Sequence, residues 1–228
     1  MQDHKEASPV NPLPPVVVIL FLAMALPEAA FSLGANGLLG GAEAVGWRLS
    51  AVQTYAFSGD IFDWMVSNGR WLPEHLLRFL TYSFVHTSFT STLFAIVFLL
   101  ALGKLVGEVM GQVAVLVLFF GSAIFGALIY GLLLNDQTWL VGGFPAVYGL
   151  IGGYSFVMWQ SLGAKGEQQL RAFTLIAMLM GLQLIWGVFF DVGNGWVADL
   201  AGFTFGFGAS AALVPGGIAR VLAAMRRD

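Results

Sequence analysis

Long apolar runs with few charges are the feature that most constrains the fold of this chain. Six runs of roughly 20 residues each have the length that an α-helix needs to cross about 30 Å of hydrocarbon. They cover Pro14–Gly34, Phe79–Val106, Gln112–Leu134, Leu140–Ser161, Leu170–Phe190 and Trp196–Val214. Hydrophobic residues make up 58% of the 228 residues and charged residues only 10%, against about 25% charged in soluble domains. The sequence therefore predicts an all-α, polytopic integral membrane protein with a bundle of six transmembrane helices.

The first apolar run has two interpretations. Residues Val16–Leu26 could be the apolar region of a signal peptide, with Ala29 and Ala30 near a cleavage point. A retained transmembrane helix is favoured, because the apolar residues continue to Leu33 and Lys5 is the only basic residue before the run.

The basic residues predict how the bundle is oriented. Seven of the ten Lys and Arg residues fall on the side of the two termini, which the positive-inside rule assigns to the cytoplasm. The chain then divides into a short cytoplasmic segment 1–13, a membrane domain 14–214 and a basic cytoplasmic tail 215–228. The long outer loop 35–78 contains Trp47, Trp64 and Trp71, which predict short amphipathic pieces at the bilayer interface. Short loops and this orientation suit a bacterial inner membrane.

Composition and spacing argue against several kinds of site. A net charge of −3 is too small to indicate a nucleic-acid partner. Without cysteine there are no disulfides or thiolate metal sites, and Glu74–His75 is a lone Glu-His pair, so no metal and no cofactor are expected. Asp199 has no second helix-borne aspartate, which an aspartyl protease needs. A transporter is disfavoured, because apart from Glu28, Gln183 and Asp199 the runs lack the polar midplane residues and broken-helix pairs that transporters use.

Three motifs together resemble those of the rhomboid intramembrane serine proteases. The family's loop and second helix are matched by LLRFLTYSFVHTSFTSTLFAIVFLLALGKLVGEVMG, although Leu77 stands where the family has tryptophan. The Gly-x-Ser-Gly start of the fourth helix is matched by GGFPAVYGLIGGY, and the sixth helix by WVADLAGFTFGFG. Family positions are kept by Arg78, His86, Tyr148, Gly149, Gly202 and Gly206. The resemblance, from about Pro14 to Val214, implies a rhomboid-like six-helix fold.

The same resemblance implies that the catalytic groups have been lost. Rhomboid proteases use a serine on the fourth helix and a histidine on the sixth, while a histidine and an asparagine on the second help to hold the oxyanion. The matching positions hold Phe144, Asp199, Ser91 and Ala95, in that order. The composition agrees: acyl transfer needs a hydroxyl or thiol beside a base, and all three histidines precede the third run. The chain is therefore predicted to be a pseudoprotease and not an enzyme.

Inactive relatives in this family, among them the Derlins and the inactive rhomboids, bind membrane proteins and steer their trafficking, assembly or degradation. The resemblance implies the same kinds of partner: membrane lipids, a transmembrane helix of a client, a host membrane complex in assembly or quality control, and a membrane AAA protease. Candidate client-binding residues, on the helices that border the family's substrate route, are Phe84, Phe94, Phe98, Trp186, Phe189 and Phe190. The alternative is an active intramembrane protease with an unrecognised nucleophile.

Glycine rows and two polar residues complete the sequence-based expectations. Rows at four-residue spacing, such as Gly149 with Gly153 and Gly202 with Gly206, favour close helix packing within the bundle, with dimerisation as the alternative. Asp199 is interpreted either as a contact for a partner helix or as a carboxyl group that accepts hydrogen bonds from Tyr148 or a loop. His86 is interpreted as a hydrogen-bonded fastener of the outer loop.

Overall fold

Helices dominate the computed structural model, which describes residues 12–134, 138–189 and 193–217. Within these ranges the chain forms nine α-helices. They are α1 Pro15–Ala35, α2 Trp47–Tyr55, α3 Gly59–Asn68, α4 Pro73–Thr81, α5 Phe89–Met110, α6 Gln112–Leu133, α7 Phe144–Ala164, α8 Thr174–Phe189 and α9 Gly195–Leu213. Two-residue strands, β1 Phe57–Ser58 and β2 Trp139–Leu140, pair antiparallel. The prediction of a helical chain is therefore confirmed apart from this short ladder.

Four helices, α1, α5, α6 and α9, are long and apolar enough to cross a membrane. Helix α7 has a similar length of 21 residues, but its glycines, tyrosines and Gln160 make it less apolar. Helix α8 has only 16 residues. The structure thus agrees with an integral membrane protein, while the full number of six spans stays a prediction.

The second predicted span is shorter than expected. Residues from Phe79 onward belong first to α4 and then to a 3₁₀ helix, Tyr82–Phe84, and α5 begins only at Phe89. Ser88 causes this late start, because its Oγ accepts a hydrogen bond from the Ser91 N–H at 3.2 Å and caps the helix.

The predicted outer loop is built from short helices. Helices α2 and α3 and most of α4 occupy it, with Ser58 capping α3 and Pro73 in the first turn of α4, where a missing N–H costs nothing. Trp64 and Trp71 are 42% and 53% exposed. Exposed aromatics, here Trp64 on α3 and Trp71 between α3 and α4, fit a segment at the bilayer interface.

Helices α7 and α9 pack against each other through glycines. A Cβ atom at Gly202 would overlap the carbonyl oxygen of Pro145, and one at Gly206 would overlap the carbonyl of Gly149. Small residues of this kind let two helix backbones approach closely. The row of Gly202 and Gly206 therefore lies against the α7 backbone within one chain, whereas a Cβ atom at Gly149 would meet Ser122 of α6.

The remaining long helices differ in how firmly they are held. Helix α1 belongs to the core, since Val17 and Met24 are completely buried and Val17 lies against Gly103 of α5. Helix α8 is held loosely. Of the α8 side chains that the structure describes, 174–185 and 189, only Ile176 is buried.

Candidate functional site at the start of α7

A turn of two glycines leads from β2 into α7. Gly142 has a φ of +99°, which glycine adopts without the steric cost that a side chain would bring. Its N–H donates to the carbonyl of Tyr82 at 3.0 Å, and the N–H of Gly143 donates to His86 Nε2 at 3.1 Å. Pro145 stands in the first turn of α7, where its fixed φ suits a helix. These contacts hold the start of α7 against the segment before α5.

His86 connects this turn to the outer helices. The side chain is buried, and burial lowers the pKa of His86 to about 4, so that the ring is neutral near pH 7. Nε2 can therefore accept the hydrogen bond from Gly143. The carbonyl oxygen of His86 accepts from Arg48 Nη1 at 2.9 Å. The ring of His86 thus binds the turn before α7, and its carbonyl oxygen binds Arg48 of α2. Nε2 already accepts a hydrogen bond from a backbone N–H.

The two positions that match the rhomboid dyad hold a phenylalanine and an aspartate. Phe144 is half-buried and packs against the core. Asp199 is 4% exposed, and its Oδ2 accepts from Gln183 Nε2 at 2.9 Å. Gln183 Oε1 in turn accepts from the Tyr148 hydroxyl at 3.2 Å. Among the described residues, Gln183 therefore connects Asp199 to Tyr148, in place of the direct hydrogen bond from Tyr148 that the sequence had suggested.

The two positions that match the oxyanion side offer no matching side chains. Ser91 is half-buried in the first turn of α5, where its N–H is used in the cap made by Ser88. Ala95 is completely buried in the core. The Ala95 methyl group cannot donate a hydrogen bond.

The candidate client-binding residues differ in exposure and in their place in the fold. Phe94 and Phe189 are 55% and 73% exposed, whereas Phe98 is half-buried against the core. Phe84 lies in the 3₁₀ helix before α5, and its ring contacts those of Phe119 and Phe120, with centroids 5.8 and 6.2 Å away. Its place on the second span was therefore a wrong prediction. The side chain of Trp186 and the whole of Phe190 lie outside the described residues.

Glu28 of α1 forms a buried polar cluster that the sequence did not reveal. Its carboxylate accepts hydrogen bonds from Arg48 at 2.6 and 2.8 Å, from Thr92 Oγ1 at 2.6 Å and from Ser32 Oγ at 2.7 Å. The cluster joins α1, α2 and α5 beside His86. One signal was present in the sequence: a carboxylate inside an apolar run must have a partner.

Arg78 secures the outer segment close to the same site. Its Nη1 donates to the carbonyl of Ala56 at 3.0 Å, and its guanidinium lies over the ring of Trp139, 5.9 Å from the centroid. Arg78 thus ties α4 to the residue before β1 and to β2. Within the described ranges, no group of three or more acidic or histidine side chains is placed to hold a metal ion.

The fold and this site define a polytopic helical membrane protein in which α7 starts against the segment that precedes α5. The family model of the Rhomboid domain matches residues 73–216, from α4 to just beyond α9. This range is more than half of the chain, which therefore belongs to the rhomboid family. Among proteins of curated function, none shows significant similarity to the chain.

Proposed function

We propose that this rhomboid-family protein is a pseudoprotease that binds transmembrane segments of other membrane proteins without cleaving them. The observation that carries the proposal is the chemistry at the start of α7. Phe144 stands where the family has its nucleophile. Asp199 stands where the family has its base, and its carboxylate accepts a hydrogen bond from Gln183. Neither residue can perform the step that its position requires in an active relative.

The surroundings of Phe144 support the absence of hydrolysis. The nitrogen of His86 that faces the turn is engaged by the N–H of Gly143, so it does not activate a hydroxyl. Pro145 has no N–H to offer, and Ala95 has no polar side chain. Each donor in an oxyanion hole contributes roughly 3 to 4 kcal/mol to catalysis, and such losses leave little rate enhancement.

The exposed faces of α5 and α8 support client binding. Phe94 on α5 and Phe189 on α8 are largely exposed, and Ile176 is the only buried residue among the α8 side chains that the structure describes. A transmembrane helix pairs through complementary packing against such faces, since lipid offers no hydrophobic driving force between helices. The protein would then present its client to a host complex or a membrane AAA protease, or act as an accessory subunit in assembly or quality control.

The same proposal places the protein in the bacterial inner membrane with both termini in the cytoplasm. The distribution of basic residues supports this orientation. In it, α2, α3 and α4 lie on the outer side, and α7 starts there.

Catalytic inactivity is tested with the purified chain in proteoliposomes. We expect no labelling by a fluorophosphonate and no cleavage of a transmembrane reporter. The double substitution Phe144→Ser with Asp199→His should not restore cleavage, because the oxyanion side stays incomplete.

Cleavage by the wild-type chain that a single serine substitution abolishes would favour the alternative of an unrecognised nucleophile. Ser83, which is completely buried close to the turn, is a serine to substitute in that comparison.

Client binding is tested by photo-crosslinking in native membranes. Crosslinkers at Phe94 and Phe189 should capture a discrete membrane-protein partner. A crosslinker at Leu116 on α6, which is also exposed at 37%, is the control and should give no such band. Equal labelling at all three positions would contradict the proposed binding face.

A further inference from the structure

Two neighbouring cavities form one groove beside the outer helices. The first has a volume of about 400 Å³ and carries the polar residues Glu74, His75 and Arg78. The second, of about 210 Å³, is lined mainly by the apolar residues Pro27, Phe31, Ala51, Phe84 and Val85. Tyr55 and Thr81 line both. We call the combined space the outer groove; it has a polar half next to α4 and an apolar half next to α1.

The polar half has unused hydrogen-bonding capacity. This capacity does not come from His75, because its Nδ1 is shielded from solvent and its Nε2 lies 4.0 Å from Glu74 Oε1. Arg78 uses Nη1 for the Ala56 carbonyl, and within the described ranges its other N–H groups have no acceptor. The Glu74 side chain is 74% exposed. One cation and one carboxylate therefore stand side by side with donors and acceptors to spare.

The apolar half continues down the side of α1. Phe31 and Pro27 precede the end of α1 at Ala35 by four and eight residues, which corresponds to depths of about 6 and 12 Å along the helix. Such depths lie within the first part of a hydrocarbon layer that is about 30 Å thick. A molecule that fills the groove thus needs a charged end at the interface and an apolar end in the membrane.

We infer that the outer groove binds one phospholipid with a zwitterionic, amine-bearing headgroup. The Arg78 guanidinium takes the phosphate, Glu74 takes the ammonium group, and one acyl chain lies between Pro27, Phe31 and Ala51. An anionic headgroup without an amine would leave Glu74 facing a like charge. A trimethylated amine has no N–H to donate to the Glu74 carboxylate. This site does not depend on whether the protein cleaves or binds clients.

The inference is tested with the delipidated full chain in a neutral detergent. Native mass spectrometry measures the binding of phosphatidylethanolamine, phosphatidylcholine and phosphatidylglycerol with identical acyl chains. We expect phosphatidylethanolamine to bind about tenfold more tightly than phosphatidylcholine, as the gain of one charge-assisted hydrogen bond implies. Glu74→Gln should remove this preference. Glu43→Gln, a change of another exposed carboxylate in the outer segment, should leave it intact.

Two further variants separate the site from folding defects. Arg78→Gln should weaken all three lipids, but Arg78 also supports the strands, so its effect is compared with that of Ala51→Trp. Ala51 lines only the apolar half, so the larger side chain should fill that half and reduce binding of all three lipids. Equal affinity of the wild-type chain for the ethanolamine and choline lipids, tighter binding of phosphatidylglycerol, or wild-type binding by both Glu74→Gln and Ala51→Trp would overturn the inference.

Discussion

Glu28 shows how a single residue links three helices. Its side chain is only 6% exposed, and that of its partner Arg48 is 23% exposed. A buried carboxylate is tolerated when every lone pair has a donor, and here Arg48, Thr92 and Ser32 supply them. Because Arg48 also bonds the carbonyl of His86, the ion pair also supports the segment that positions the start of α7.

Removal of Arg48 should therefore destabilise the protein strongly. We expect Arg48→Ala to lower the free energy of unfolding by roughly 3 kcal/mol, because a buried carboxylate is left without its cation. Reversible unfolding in mixed micelles measures the change. Arg70→Ala removes an exposed arginine of the same outer segment and should shift the free energy by less than about 0.5 kcal/mol. Equal effects of the two substitutions would show that the ion pair adds no stability.

At the scale of elements, the crossing of α7 and α9 depends on the absence of side chains. The backbone of α7 at Pro145 and Gly149 lies directly against Gly202 and Gly206 of α9. A methyl group at Gly206 would meet backbone, which cannot move aside as a flexible side chain does. Gly208 lies on the same helix and has open space around it.

This difference predicts opposite outcomes for one substitution at two sites on α9. Gly206→Ala should destabilise the fold by about 1–3 kcal/mol through overpacking. Gly208→Ala should be neutral or slightly stabilising, because alanine is the better helix former by up to about 1 kcal/mol. Thermal unfolding in detergent compares the two. A loss of stability with Gly208→Ala as large as with Gly206→Ala would mean that helix packing is not the cause.

Gln183 provides the polar attachment of α8, whose described side chains are largely exposed. It bridges Tyr148 of α7 and Asp199 of α9, and interhelical hydrogen bonds of this kind contribute about 0.6–1.7 kcal/mol each. Gln183→Leu should therefore increase hydrogen exchange across residues 174–185 roughly tenfold. Gln112→Leu makes the same change at an exposed position on α6 and should have no such effect. Unchanged exchange in Gln183→Leu would show that apolar packing alone holds α8.

At the scale of the whole molecule, the proposed orientation places the outer groove and the start of α7 on one face of the membrane. Single cysteines at Asp60 and Asn194 should react with an impermeant maleimide from the outer side, and one at Lys165 from the cytoplasmic side. The chain has no native cysteine, so each probe is unique. Reaction of Lys165 and Asn194 from the same side would break the predicted order of six spans.

The sequence was sufficient to predict the membrane location and the approximate positions of the long helices. These follow from local properties: the length of each apolar run, the spacing of the glycines and the preference of proline for the first turn of a helix. The family also follows from local motifs, and the match over residues 73–216 confirms it. The boundary of α5 was misplaced because the apolar residues on both sides were joined into one run from Phe79 to Val106, across the polar residues His86, Thr87 and Ser88 that precede the helix.

Only the tertiary structure decided which polar residues meet. Glu28 and Arg48 are 20 residues apart, Glu28 and Thr92 are 64 apart, and His86 reaches Gly143 across 57 residues. No periodicity connects positions at such separations, because they are brought together by the packing of whole helices. The apolar length of each helix is a property of its own residues, whereas a hydrogen bond between helices is a property of their arrangement.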